Sequence, residues 1–256
     1  MSRTIKQIIY GFFYLVIIAG IVYGGYIIFR ETAPTCNDNR QNQQETEVDC
    51  GGPNCVSCVI RHLQPIAPKL EYFGVGNNTS VILTLSNPNL DYGADALTYT
   101  LNFYDVGRKL IFSVMKDSFI YPAEAQKIIV EPNLKFNYLQ IAGQPEIVIS
   151  NVSWKSLVEF PMPKVQTRQI QTSIVGSQVT VSGILVNRES VSLPKATIGL
   201  LVYQQMPEAN RLVGASKTVL QGLRPFEERA FKIFVPLDSA YKLPEIDTLI
   251  TTEVQR

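Results

Sequence analysis

The cysteines are the residues whose type and spacing could carry chemistry. All four, Cys36, Cys50, Cys55 and Cys58, lie within twenty-three positions, in the spacing C-x13-C-x4-C-x2-C. Clustered cysteines outside the cytoplasm usually form disulfides, whereas four thiolates can also hold a tetrahedral zinc ion. The spacing lacks the paired C-x2-C knuckles of a zinc ribbon, and no βαβ pattern follows that would indicate a thioredoxin-like redox site. We therefore predict two disulfides, and the spacing leaves open which cysteines pair.

Oxygen ligands stand between the first two cysteines. Asp38, Asn42, Glu45 and Asp49 occur at short intervals, and carboxylate and amide oxygens are the ligands that calcium prefers. Their spacing is not that of an EF-hand loop. The same side chains can also cap turns in a small cross-linked knot. We favour the turn-capping interpretation, keep calcium as the alternative, and predict no cofactor.

The cysteine segment as a whole has a recognisable pattern. Cys-x-Asp-x3-Asn-x2-Glu-Thr-x-Val-Asp-Cys-Gly-Gly-x2-Cys-x2-Cys, over residues 36–58, resembles a short cysteine-rich module that recurs in secreted and surface-attached bacterial proteins. The resemblance implies an extracytoplasmic module without known chemistry. Gly51 and Gly52 would serve a tight backbone turn in it.

An apolar run precedes this module. The chain carries no charge over the twenty-two residues from Ile8 to Phe29, and about 20 residues suffice to cross a bilayer as a helix. Bulky residues such as Tyr26 stand where a signal peptide would need a small-residue cleavage site. Arg3 and Lys6 precede the run and acidic residues follow it, so the positive-inside rule places the N-terminus in the cytoplasm. We predict a single-pass signal-anchor in the cell membrane, with residues 31–256 extracytoplasmic.

The remainder of the chain has the pattern of β-structure and an internal repeat. Beyond residue 65, short apolar or alternating runs are bounded by Gly, Pro, Asn and Asp, which is typical of β-sandwiches. Val81–Asn89 and Val181–Glu189 are similar segments one hundred positions apart, about the length of an immunoglobulin-like domain. We predict an all-β fold of two tandem immunoglobulin-like β-sandwiches. The predicted divisions are a cytoplasmic start and transmembrane helix (1–30), a disulfide module and linker (31–64), and the two sandwiches (65–160 and 161–256).

Both copies resemble known domains. In the first copy, a strand ends in Asn-Pro-Asn (87–89), another ends in Tyr-Asp (104–105), and Pro-Ala-Glu (122–124) precedes a closing apolar strand. This pattern resembles the late-embryogenesis-abundant type-2 domain, also called the water-stress-hypersensitivity domain. The second copy, with Gly-Ile-Leu-Val-Asn (183–187) and Leu-x-Pro-x-Glu (223–227), resembles bacterial envelope relatives of that domain. The resemblance implies a sandwich fold and an exported or membrane-associated protein, and it implies no catalysis.

Composition and local motifs give no indication of an enzyme. The 23 basic residues nearly balance the 22 acidic ones, so no basic excess indicates a nucleic-acid partner. His62 is the one histidine and lies in a polar linker, and the segment 74–76 lacks the helix that a phosphate loop requires. Glu227 and Glu228 fall in a turn, where acidic residues are usually solvated. We predict that the protein is not an enzyme.

Taken together, these patterns predict a membrane-anchored extracytoplasmic binding or scaffold protein of the cell envelope. Its partners would be the membrane and an envelope protein, held at exposed strand edges or loops. The alternative is a protein that binds a lipid or a small apolar ligand at the membrane surface. An open apolar cavity would distinguish the alternative from a closed, well-packed sandwich.

Overall fold

The chain folds into two compact units. The structure is a computed structural model that describes residues 3–29, 35–42, 44–238, 241–242 and 245–255. One unit is Met1–Leu63 and the other is Gln64–Arg256. The first contains the described helices α1 (Arg3–Phe29) and α2 (Cys58–Arg61) and a cysteine-rich loop between them. The second contains the twelve described strands.

Helix α1 is the apolar element. Its 27 residues would extend about 40 Å, more than the ~30 Å hydrocarbon layer of a bilayer. The span Arg3–Tyr26 lies away from the interior of the protein, and it is long and apolar enough for a membrane span or a signal sequence. The predicted apolar helix is therefore confirmed as an element.

The second unit consists of four antiparallel sheets of three strands each, in the orders β1-β2-β5, β4-β3-β6, β11-β8-β7 and β10-β9-β12. The predicted predominance of β-structure after residue 65 is confirmed. The first six strands are β1 (Ala67–Val75), β2 (Asn78–Ser86), β3 (Tyr92–Tyr104), β4 (Leu110–Ile120), β5 (Gln126–Leu134) and β6 (Glu146–Ser156). The last six are β7 (Val165–Val175), β8 (Gln178–Asn187), β9 (Leu193–Gln204), β10 (Arg211–Leu223), β11 (Glu228–Pro236) and β12 (Ile246–Gln255).

Two sheets share each hydrophobic core. Residues of β2, β3 and β5, including the fully buried Tyr99 and Phe103, form one core with apolar residues of β1, β4 and β6 packed against it. Residues of β8, β9 and β11 dominate the other, where Leu185 and Leu200 are fully buried. We call β1 to β6 the first sheet pair and β7 to β12 the second. Alternation of buried and exposed residues along β3 and β11 follows from the two-residue period of a strand.

The second sheet pair repeats the strand order of the first, because adding six to each strand number of one gives the other. Asn87 and Asn187 lie at the ends of β2 and β8. Each accepts the backbone N–H of the residue two positions later on Oδ1, at 3.0 and 2.9 Å. Each also donates its amide N–H groups to two backbone carbonyls. The two asparagines that the sequence aligns thus close equivalent turns.

A second pair of equivalent turns joins β4 to β5 and β10 to β11. Ala123 and Phe226 each follow a proline and adopt φ values of 62° and 57°, a backbone region that is uncommon for residues other than glycine. The glutamate that comes next, Glu124 or Glu227, accepts a backbone N–H three residues earlier at 2.9 or 2.6 Å. These hydrogen bonds explain why both copies carry Pro-x-Glu at this position.

The two sheet pairs pack against each other through one outer sheet face from each. Ile82 and Val130 of the first pair form a buried cluster with Leu201 and Ala215 of the second. The connection between the pairs, residues 157–164, contains the predicted division at residues 160 and 161. Because Gln64–Arg256 is one compact unit, the packed sheet faces belong to its interior.

Candidate functional site

The four cysteines form two disulfides in the first unit. Cys36 pairs with Cys55 and Cys50 pairs with Cys58. Both members of the Cys-x-x-Cys segment therefore bond to an earlier cysteine, and the pair does not close on itself. A disulfide sulfur has no thiolate to offer a metal or a substrate. The predicted disulfides are confirmed, and the connectivity that spacing left open is first to third and second to fourth.

Two buried carboxylates organise the loop between the disulfides. Asp49 accepts the backbone N–H groups of Asp38 and Asn39 on Oδ1, both at 2.9 Å. Glu45 accepts those of Asn42 and Asp49 on Oε2, both at 3.1 Å. Glu45 and Asp49 are only 6% and 5% exposed, so their hydrogen bonds offset the cost of burying charge.

The other two residues of the predicted oxygen set lie nearer the surface. Asp38 accepts the side-chain amide N–H of Asn42 at 2.8 Å, and this bond lowers the pKa of the Asp38 carboxyl. Within the described residues, Asn42 Oδ1 is buried and has no hydrogen-bond partner. The structure thus brings all four predicted residues into one loop, where four of the carboxylate oxygens bind backbone N–H groups of described residues. Turn capping accounts for these contacts, and calcium binding stays a hypothesis.

Short interactions fix the helix that follows the loop. Arg61 of α2 donates a hydrogen bond to the backbone carbonyl of Asp49 at 2.6 Å. Gly51 and Gly52 have φ values of 76° and 71°, and a Cβ at either position would overlap neighbouring atoms of the loop. His62 is largely exposed and lies 3.7 Å from a carboxylate oxygen of Glu47. These contacts give the two glycines and Arg61 structural roles.

A second cluster of charged residues lies at the junction of the sheet pairs. Glu131 of β5 accepts hydrogen bonds from Tyr99 at 2.9 Å, from Lys116 at 2.5 Å and from Lys217 at 3.1 Å. Lys217 belongs to β10, so this ion pair joins the two sheet pairs. Burial raises the pKa of the Glu131 carboxyl, but the bond from Lys116 and the charges of both lysines outweigh it and lower the pKa overall. Glu131 is therefore an ionised carboxylate in a mostly buried position.

A third charged cluster lies nearer the start of β5. The side chain of Lys127 is 3% exposed, and its Nζ lies 3.2 Å from Oε1 of Glu253 and 3.2 Å from the centre of the Phe119 ring. Burial lowers the pKa of Lys127 and raises that of the neighbouring Glu124. Tyr121 donates a hydrogen bond to the carbonyl of Val254 at 2.8 Å. These contacts join β4 and β5 to β12, and hence the first sheet pair to the second.

A cleft of about 580 Å³ opens at the opposite end of this junction. Gly76, in the turn between β1 and β2, donates a hydrogen bond to Asp238 at 3.1 Å and closes one side. The walls are residues of β1, of the start of β10, and of the connections that follow β5 and β11. They comprise Leu70, Glu71, Tyr72, Phe73, Gly74, Tyr138, Gln144, Arg211, Leu212, Val213, Asp238 and Tyr241. The volume of the cleft is within the range of pockets that bind small molecules.

Sequence reasoning missed the charged junction and the cleft. Glu131, Lys127 and Arg211 sit in ordinary strand patterns. The partners of Glu131 and Lys127 in the second sheet pair lie far away along the chain. The lysine in Gln-Lys-Ile-Ile-Val, which interrupts an otherwise apolar strand, was the one available signal. A charge at a core-facing position of a strand indicates a buried partner, but the sequence does not identify it.

Comparisons with known proteins identify no family for this chain. No protein-family model matches it, and no curated protein matches it. Solved structures with some likeness include a red sea bream transglutaminase, at 13% sequence identity and a TM-score of 0.25. The likeness covers 76% of this chain but 30% of the transglutaminase, so it spans less than a third of that protein. A likeness at this level supports no statement about activity.

Proposed function

We propose that this protein is a membrane-anchored, non-catalytic scaffold whose two immunoglobulin-like β-sandwiches hold an envelope protein outside the cell membrane. The observation that carries the proposal is the coupling of the two sheet pairs by a shared apolar cluster and by ion pairs. A scaffold benefits from such coupling, because rigid surfaces lose less conformational entropy when they bind.

The first unit supports the anchoring part of the proposal. Helix α1 provides an apolar span, and the two disulfides are typical of proteins outside the cytoplasm. In the proposal, α1 fixes the chain in the membrane with its N-terminus inside, and the disulfide module follows on the outer side.

The contacts of the charged residues support the non-catalytic part. Glu131 and Lys127 have the perturbed pKa values that can indicate an active site, but both are engaged in ion pairs with residues of the second sheet pair, Lys217 and Glu253. Such networks also arise for structural reasons, and here their partners lie on the packed faces. We assign them to the stability of the scaffold.

The contents of the cores favour the scaffold over the lipid-binding alternative. Each core is filled by side chains with almost no exposed surface, including Leu83 and Leu101 in the first sheet pair and Leu185 in the second. The cleft at the junction has charged residues in its walls, among them Glu71, Arg211 and Asp238. An apolar ligand would leave these charges desolvated.

The test is chemical cross-linking of the tagged full chain in intact cells, with protease added to spheroplasts in parallel. We expect protease to remove residues 31–256 from outside, and we expect a defined envelope protein to cross-link to the tagged chain. Protection of residues 31–256 would refute the proposed topology, and the absence of any cross-linked protein would refute the scaffold. Native mass spectrometry of the purified chain distinguishes the alternative, which requires a retained lipid mass.

A further inference from the structure

We propose that the cleft at the junction binds an extended peptide segment of the partner, paired to the free edge of β1 and carrying a carboxylate that Arg211 receives. This inference rests on the proposed function, because it places the binding site of the scaffold. The cleft offers an unpaired strand edge, a cation without a partner among the described residues and a cavity of suitable size.

The edge of β1 supplies the backbone groups. Strand β1 is the outer strand of its sheet, and β2 is its one partner among the described strands. The two-residue turn after Val75 makes Val75 and Asn78 a hydrogen-bonded pair, so the backbone groups of Leu70, Tyr72 and Gly74 point to the free edge. In the part of the chain that the structure describes, no hydrogen bond reaches these groups from another element. They form a template for a further strand about 16 Å long.

Arg211 is the group in the walls of the cleft that can receive an anion. Glu71 is 2.8 Å from the ammonium of Lys69, and Asp238 accepts the N–H of Gly76. The side chain of Arg211, at the start of β10, makes no hydrogen bond or ion pair with the residues that the structure describes. Its guanidinium is the cation of the walls and has no partner among the described residues, and its planar fork of donors suits a carboxylate.

The remaining walls give the cleft its shape. The ring of Tyr138 lies against Gly74, where any Cβ would overlap it. Phe73 and Leu212 extend the apolar cluster between the sheet pairs to the floor of the cleft. An extended chain places alternate side chains on opposite sides, so one set would contact these apolar residues while backbone groups pair with β1.

The cleft lies between the two sheet pairs, so its shape depends on the contacts that hold the pairs together. Residues of β1 and β10 come from different sheet pairs, so a shift of one pair would separate Leu70 and Tyr72 from Arg211. The ion pairs of Glu131 and Lys127 oppose that shift. The rigid junction thereby holds the backbone edge and the cation in one arrangement before a ligand arrives.

The test uses the full chain in detergent micelles and two arrays of random octapeptides, one with free C-terminal carboxylates and one with amidated C-termini. We expect wild-type protein to retain peptides that contain a carboxylate. Arg211→Gln should weaken their binding at least tenfold, and Arg211→Lys should weaken it less. Arg224→Gln, the same change at an exposed arginine near the other end of the unit, should leave binding unchanged.

Modified peptides separate strand pairing from simple charge attraction. N-methylation at successive positions of a retained peptide should abolish binding at every second position, because alternate N–H groups face β1. If the amidated peptides do not bind, the carboxylate that Arg211 receives is the C-terminus of the peptide. If amidated peptides still bind, that carboxylate belongs to a side chain of the peptide. Both results support the proposal, since both place a carboxylate at Arg211.

Three results would overturn the inference. They are an array with no retained peptide, equal binding by the wild type and Arg211→Gln, and N-methyl sensitivity without a two-residue period. The cross-linking experiment separates this failure from failure of the proposed function. If Arg211→Gln still cross-links to the envelope protein as the wild type does, the scaffold stands and the cleft is not its site. If the wild type cross-links to nothing, the scaffold itself is wrong.

Discussion

Glu131 shows what single residues contribute to this protein. Its side chain is 5% exposed and binds a phenol and two lysines, one of which comes from the other sheet pair. A buried charge is stable only when its partners are in place, so this residue makes the fold depend on the relative position of both pairs. The surface ion pair of Arg168 and Glu228 has no such effect, because water screens both charges.

The substitution Glu131→Gln tests this dependence. We expect a loss of about 2 kcal/mol in the free energy of unfolding, below the 3–5 kcal/mol typical of fully buried pairs because both lysines are partly exposed. Denaturant unfolding of the full chain measures it. Glu228→Gln is the matched control and should cost no more than about 1 kcal/mol. Equal effects of the two changes would contradict the importance of burial.

The difference in stability between the wild type and Glu131→Gln should depend on pH. The pKa of Glu131 is lower in the folded protein than its ordinary value of 4.5, so its stabilising contribution is complete above that pH and is lost as the pH falls through the folded value. The wild type should therefore exceed Glu131→Gln in stability at neutral pH, and the difference should shrink below pH 4.5. Glu124, whose pKa burial raises, acts in the opposite direction, but it is present in both proteins and cancels. A difference that grows on acidification would show that the sign is wrong.

At the scale of elements, two asparagines stabilise the turns at the ends of central strands. Asn187 is fully buried at the end of β8, where its side chain binds one backbone N–H and two backbone carbonyls. Asn87 does the same at the end of β2. Where the chain leaves a central strand and turns, some backbone N–H and C=O groups lose their partners in the sheet. The side chains of these asparagines make hydrogen bonds to those groups.

Asn187→Ala should destabilise the protein by about 1–3 kcal/mol, because it leaves buried backbone groups without partners. The midpoint and slope of chemical unfolding measure the loss. Asn210→Ala is the control, since Asn210 lies in an exposed connection and should change stability by less than about 0.5 kcal/mol. An unchanged midpoint for Asn187→Ala would mean that water or a moved backbone replaces the side chain.

At the scale of the whole molecule, the junction makes the two sheet pairs one mechanical body. Leu201 is fully buried, but it faces the other sheet pair and not the core of its own. The apolar cluster, the ion pairs and the hydrogen bond from Gly76 to Asp238 hold the junction along its length. Tandem β-domains often move independently, and here the contacts oppose such motion.

We expect the strands of the wild type to unfold in a single calorimetric transition. Leu201→Asp should split it into two, because a buried carboxylate disrupts the junction while each core keeps its own residues. Leu249→Asp, a matched change at a half-exposed leucine of β12, should leave a single transition. Two transitions in the wild type would show that the pairs are not coupled.

The sequence by itself determined the local features of this protein. A run of uncharged residues as long as a bilayer is thick predicts a helix, and apolar runs bounded by turn residues predict strands. Four clustered cysteines without the spacing of a zinc ribbon predict disulfides. Each of these features depends on neighbours in the chain, so spacing reveals it. The similarity of residues 81–89 and 181–189 likewise revealed the internal repeat.

Only the tertiary structure decided which distant residues meet. The contact of Glu131 with Lys217 and the cleft that Arg211 and β1 both line depend on how sheets stack. The pairing of Cys36 with Cys55 depends on how the cysteine-rich loop folds back on itself. Stacking is set by the shapes of whole faces, to which each side chain contributes little and with no fixed period. The sequence patterns therefore did not predict the junction or its cleft.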